Sequence, residues 1–250
     1  MAEIYKKLNL RLGALCLSLM LIASASAEEP SYVLNTSTGA PYTTKERTGF
    51  QDLIVAEVFR RLGLKGQVEK YSASARALIN ANEDIDQGVV MRIKGLEKKF
   101  PNLIRVDERL IENDFVAYSK DLNFSTSSWD SLKSHSVAYV HGWVIFESNL
   151  AQDQIKYDVK DPAQMFAMLD KGRTDLILYE RWQGLQWAKQ SNLKIIAHEP
   201  PLASVNMYMY MHKNHAELVP KMAEALREMK ADGTYKAIFD RTLANLLPAN

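Results

Sequence analysis

The run Tyr32–Leu64, YVLNTSTGAPYTTKERTGFQDLIVAEVFRRLGL, constrains the fold more than any other stretch of the chain. Tyr32, Val33 and Leu34 are β-formers in an apolar run. Asn35 to Thr48 is rich in Thr, Ser, Gly and Pro, which makes it loop. From Gly49 the pattern turns helical: Ile54, Val55, Val58, Phe59 and Leu62 share one stripe, and Gly63 stops the helix. A loop bearing Ala40-Pro41-Tyr42 therefore leaves the carboxyl end of a first strand. In open α/β sheets that edge is where ligands bind.

The chain beyond alternates between the two periods. Gly66–Tyr71 reads as a strand, Ser74–Ala81 as a helix, Gly88–Met91 as a strand delivering Arg92, and Leu103–Val106 and Phe115–Tyr118 as further strands. This order predicts a largely parallel sheet. A second unit begins near Ser119, after which Asp121–Ser128 is polar and Ser-rich. Trp129–Lys133 reads as a helical turn and Val137–Val140 as a strand ending in His141-Gly142-Trp143. Asp161-Pro162 opens a helix, with Asp at the cap and Pro at the first position. Asp175–Tyr179 is a continuous apolar strand, as expected when both faces are covered, and Glu180 follows it. Arg181–Gln190 reads as a helix, Lys194–Ala197 and Asn206–Met211 as strands, and two helices around the Asp232-Gly233 turn close the chain.

The first residues stand apart. Lys6, Lys7 and Arg11 precede an apolar run, Leu12–Ala23, and Ala25-Ser26-Ala27 offers a small-residue cleavage site before Glu28. This is the pattern of a secretory signal peptide, and the run is short for a membrane span. Cleavage after Ala27 would change the net charge from +1 to −1 and remove Cys16, the one cysteine. The expected product is a soluble, thiol-free protein of the periplasm. Thiol catalysis and cysteine metal sites are then excluded, and the absence of a basic block argues against nucleic acid. At 47% hydrophobic and 24% charged, the 250 residues suit one large domain or two small lobes.

Several of these segments together resemble family 3 of the bacterial periplasmic solute-binding proteins. Ala40-Pro41-Tyr42, Gly49-Phe50, Asp52-Leu53 and Arg61-Leu62-Gly63 match its opening. Leu132-Lys133, Val137–Gly142 and the run Met168–Asp175 with Glu180 match its second lobe. Glu217-Leu218, Ala225-Leu226 and Lys230–Tyr235 match its close. The resemblance covers nearly all of the chain beyond residue 27. It implies a two-lobed, type II periplasmic-binding-protein-like α/β fold with two crossing strands as hinge, near Phe115–Lys120 and Asn206–His212. The lobes would be residues 28–118 and 119–206, with 207–250 returning partly to the first.

The resemblance also implies roles. Arg92 falls near the place of an arginine that clamps the ligand's carboxylate, a task that suits the guanidinium fork. The spacing from Asp86 is shorter than the family's and lacks its hydroxyl residues, so recognition of a standard α-amino acid is not implied. Arg76 is a second cation, one helix earlier. Glu180 stands where the family binds the ligand's amine, Tyr42 where it stacks a ring, and Trp143 replaces a small residue and narrows the cleft. The competing roles are a solvated arginine for Arg76 and Arg92, a strand-end acid for Glu180, and packing for the two rings. His212 and His215 with Glu217 make a poor metal set, and no cofactor motif occurs.

The expected function is capture of a small polar solute, such as an amino acid or related charged metabolite, by a monomer that delivers it to an ABC-type permease. The alternatives are a ligand-sensing subunit for a membrane sensor, and a periplasmic dehydratase on prephenate-like acids with Glu180 as general acid.

Overall fold

The computed structural model describes residues 31–248; the expected signal peptide, residues 1–27, lies outside them. Ten strands form one mixed sheet: β1 Ser31–Thr36, β2 Lys65–Lys70, β3 Gly88–Ile93, β4 Leu103–Arg105, β5 Ile111–Ser119, β6 Val137–Val140, β7 Lys156–Val159, β8 Leu176–Glu180, β9 Ile196–Ala197 and β10 Ala203–His212. Among the described residues seven α-helices accompany it: α1 Phe50–Arg61, α2 Ser74–Asn82, α3 Val144–Glu147, α4 Pro162–Asp170, α5 Arg181–Ser191, α6 Val219–Ala231 and α7 Thr234–Thr242. The strand order is β2-β1-β3-β10-β5-β8-β6-β7, with β4 beside β10 and β9 beside β5.

β5 and β10 join the two sides of this sheet. They pair antiparallel from Ala203 opposite Phe115 to Met207 opposite Ile111. Beyond that overlap they part. The end of β10 pairs with β3 and β4, while the end of β5 pairs with β8 and β9. On one side β1 lies parallel between β2 and β3, and on the other β6 lies parallel between β7 and β8. Both parallel groups aim their carboxyl ends at the crossing.

Local sequence explains most boundaries. In α1, Ile54, Val55, Val58 and Phe59 are fully buried, and Asp52 turns back to accept from the amides of Gly49 and Thr44 at 3.0 and 2.9 Å. The Asp161 carboxylate caps α4 by accepting from the Gln164 amide at 2.9 Å. All five residues of β8 are buried, as an apolar strand covered on both faces requires.

Several elements differ from the sequence expectation, among them the unexpected helix α3 and three strands. β5 starts at Ile111, not Phe115, because its polar residues Asn113 and Asp114 find partners inside the fold. β10 begins at Ala203, three residues before Asn206, because its first residues pair with β5. β7 was not expected at all. Only Val159 of its four residues is buried, so its sequence carries no apolar signature.

The C-terminal helices pack back on the β1 side. Phe50 meets Tyr235 and Phe239 of α7 edge-on at 5.7 and 6.3 Å, and Arg61 pairs with Asp232 at 2.6 Å. Thr234 and Arg61 hold the Asp232 carboxyl down to about 2.

Candidate ligand-binding site

A cavity of about 290 Å³ opens where the two parallel groups face each other. Thr38 follows β1, Met91 lies in the second half of β3, Gly142, Trp143 and Ile145 follow β6, and Glu180 ends β8. Asn113, Phe115 and Met207 come from the crossing strands. This is the carboxyl edge at which open α/β sheets bind ligands. Two larger hollows, of about 430 and 470 Å³, lie elsewhere, beside Pro41 and Arg241 and between α4 and α5. Neither draws on the strand ends of both sides. The smaller cavity therefore has the stronger claim.

Its walls are mostly apolar. Trp143 stacks on Phe146 with centroids 5.6 Å apart and planes 5° apart, and it meets Phe115 edge-on at 5.9 Å and Tyr179 at 4.7 Å. The side chain is thus fixed as a wall, not left as a free flap. Met91 has φ of +61°, an uncommon backbone for a side-chain-bearing residue. A register shift in the β10 pairing accompanies it. Strain of this kind gathers at ligand sites.

Glu180 is the one acidic residue of the lining, and it is 1% exposed. It also caps α5. Its Oε1 accepts from the Trp182 amide at 3.2 Å and its Oε2 from the Gln183 amide at 2.9 Å. The Tyr42 hydroxyl donates to Oε1 at 2.8 Å. Burial outweighs these donors and the Arg181 charge, and raises the carboxyl to about 7.

The structure thus brings Tyr42, Trp143 and Glu180 together, but in unequal roles. Tyr42 is fully buried and does not line the cavity; it touches Glu180 and Asn113. Gly49 permits this. A Cβ there would lie 2.4 Å from the Tyr42 carbonyl oxygen, so the loop can fold onto the start of α1 only over a glycine.

Arg92 and Arg76 are not among the lining residues. Arg92 stands opposite Tyr208, which packs on the small cluster of Ala81, Val89, Leu103 and Tyr210. Its Nε and Nη2 are buried, and neither has a hydrogen-bond partner among the described residues. Burial pulls its guanidinium down to about 10, so it stays charged at neutral pH. Arg76 is exposed in the first turn of α2.

Sequence reasoning missed Asn113, Phe115, Met91 and Met207. Phe115 was visible only as a strand residue. Asn113, on a crossing strand, gave no sign that it is 2% exposed and faces Tyr42. His212 and His215 both lie near Asp84, at 3.5 and 3.1 Å, and no three-residue metal set exists among the described residues.

No family model matches the sequence. An uncharacterised protein of Shewanella oneidensis is 26% identical over 255 residues, covering 91% of this chain and 93% of its own. Among solved structures, the substrate-binding protein of an amino acid ABC transporter superposes with a TM-score of 0.63 at 17% identity, covering 85% of this chain and 99% of that one. A histidine kinase sensor domain with similarity to periplasmic binding proteins does so with a TM-score of 0.66 at 13% identity, covering 86% and 96%. In fold, the chain is a two-lobed, periplasmic-binding-protein-like α/β protein whose lobes are joined by crossing strands.

Proposed function

We propose that the protein is a divergent family 3 solute-binding protein of the periplasm, which closes two lobes about β5 and β10 on a small solute bearing an acidic group. The observation that carries this reading is Arg92. A half-buried guanidinium with two buried, unpartnered donors carries a desolvation cost, and an anion relieves it. Arg92 directly follows Met91, which lines the cavity, so the two Cα atoms are about 3.8 Å apart. Trp143 and Phe115 provide the apolar wall and Glu180 the acidic end. Tyr42 acts through Glu180, and Arg76 is a second cation at the rim of α2.

Delivery to an ABC-type permease is the role that the fold's transporter neighbour supports. The sensor neighbour supports reporting occupancy to a membrane sensor instead. Among the described residues no helix is long and apolar enough to cross a membrane. Enzymatic dehydration is disfavoured, because Glu180 is held by three donors and has no second acid–base group beside it in the lining.

The test is a thermal-shift panel of small carboxylates, amino acids, polyamines and prephenate on wild type and on Arg92→Met. A ligand at a hundredfold excess over its Kd raises stability by about 2.7 kcal/mol. We expect an acid to shift the wild type and not Arg92→Met. The ligand-free variant should itself be more stable, on the order of 1 kcal/mol, because two buried unpartnered donors are gone. Equal shifts in both proteins would remove Arg92 from the site.

A further inference from the structure

The Tyr42 hydroxyl has one proton and two acceptors. It donates to Glu180 Oε1 at 2.8 Å, and Asn113 Oδ1 lies 3.2 Å away. All three side chains are buried, and each belongs to a different part of the fold: the loop after β1, the crossing strand β5, and the end of β8. The chain Glu180–Tyr42–Asn113 therefore spans the crossing beside the cavity.

We propose that this chain is a reversible proton clasp: Tyr42 and Asn113 are positioning residues that hold Glu180 in either protonation state without breaking the link between the two sides of the sheet. With Glu180 ionised, the carboxylate accepts from Tyr42. With Glu180 protonated, its own O–H needs an acceptor, and the Trp182 and Gln183 amides cannot provide one. The Tyr42 oxygen can, provided that its proton turns to Asn113 Oδ1. One proton is gained from solvent, the Glu180–Tyr42 hydrogen bond reverses direction, the Tyr42 proton turns to Asn113 Oδ1, and no heavy atom has to move. Asn113 is thus the residue that makes the neutral state acceptable.

The surroundings leave this pair in control of Glu180. Arg181, next in the chain, faces Asp114 at 3.1 Å and Glu199 at 2.7 Å and is largely neutralised by them. Tyr118 of β5 and Tyr179 of β8 are the other titratable groups close by, and burial raises both, so they stay neutral across the physiological range. Tyr42 is likewise held neutral by burial and by Glu180. Because Asn113, Glu180 and Gln183 line the cavity, an occupant meets a neutral wall at lower pH and an anionic one at higher pH.

The clasp predicts opposite shifts from two conservative changes. Tyr42→Phe removes both the donor to the carboxylate and the acceptor for the acid; the charge-assisted bond is the stronger of the two, so the Glu180 midpoint should move up. Asn113→Leu removes the acceptor that the neutral state needs and should move it down. Each shift should be roughly half to one pH unit, the size expected for a net hydrogen-bond difference of about 1 kcal/mol. The measurement is carbon-13 NMR of the glutamate carboxyls of the full chain, with Glu180 assigned by the signal lost in Glu180→Gln. Asn113→Ala repeats the test with less bulk should the leucine disturb folding. A wild-type Glu180 titrating in the ordinary carboxylate range, or shifts of the same sign in both variants, would overturn the proposal. No ligand is needed, so this outcome is independent of whether the solute-binding reading holds.

Discussion

At Glu180 two demands meet. As the cap of α5 it should be charged, since its oxygens receive the Trp182 and Gln183 amides. As a residue 1% exposed it should be neutral. Burial wins, and the carboxyl rises from 4.5 to about 7. In that window the folded protein keeps a proton that the unfolded chain has released. Stability contributed by this group is therefore greatest below about pH 4.5 and declines as pH rises to about 7, by about 3 kcal/mol in all. Urea unfolding of wild type and Glu180→Gln at about pH 5 and about pH 8 checks the sign. The wild type should lose stability between the two relative to the variant, and parallel behaviour would mean an ordinary carboxylate. The residue's position was legible in the sequence, from the acid that ends an apolar strand. Its partners were not, because Tyr42 is 138 positions away and Asn113 had no motif around it.

Elements here are held by close approaches as much as by apolar stripes. Gly49 lets the loop carrying Tyr42 fold against the start of α1: the Phe50 and Gln51 amides donate to the Pro41 and Tyr42 carbonyls at 3.1 and 2.8 Å. Gly49→Ala would put a methyl 2.4 Å from backbone that cannot easily yield. We expect a loss of about 2 kcal/mol or more, read as a fall of roughly 4–8 °C in Tm. Because Tyr42 rides on that loop, the same variant should disturb the Glu180 titration, whereas a destabilising change in α6 should not. The Gly49-Phe50 pair was readable as a motif. The reason for the glycine was not, since only the folded loop shows what lies over it. β7 makes the complementary point: its strand state comes from pairing with β6 and not from its own composition.

At the scale of the whole molecule, the sheet is continuous through β5 and β10 but its two sides touch the cavity from different strand ends. Closure on a ligand should therefore bend these two strands while leaving each parallel group intact. Small-angle scattering of the wild type with and without an active ligand from the thermal-shift panel should show a smaller radius of gyration when bound. Trp143→Ala should weaken binding by removing a packed wall, with loss of the contacts to Phe146, Phe115 and Tyr179. An unchanged radius at saturation would argue for a site that is already closed.

The alternation of strands and helices, the loop at the carboxyl edge of the first strand, the capped start of α4 and the buried run of β8 are all legible in the chain's local pattern. Each of these follows from local periodicity or from a single turn or cap residue. Tertiary structure alone decided which residues share the site. It placed Tyr42 under Glu180 instead of in the cavity wall, left two buried donors of Arg92 without partners among the described residues, and brought Asn113 to the crossing. The physical reason is that burial and hydrogen-bond partnership across the crossing strands depend on contacts tens of residues apart, and no local pattern encodes them.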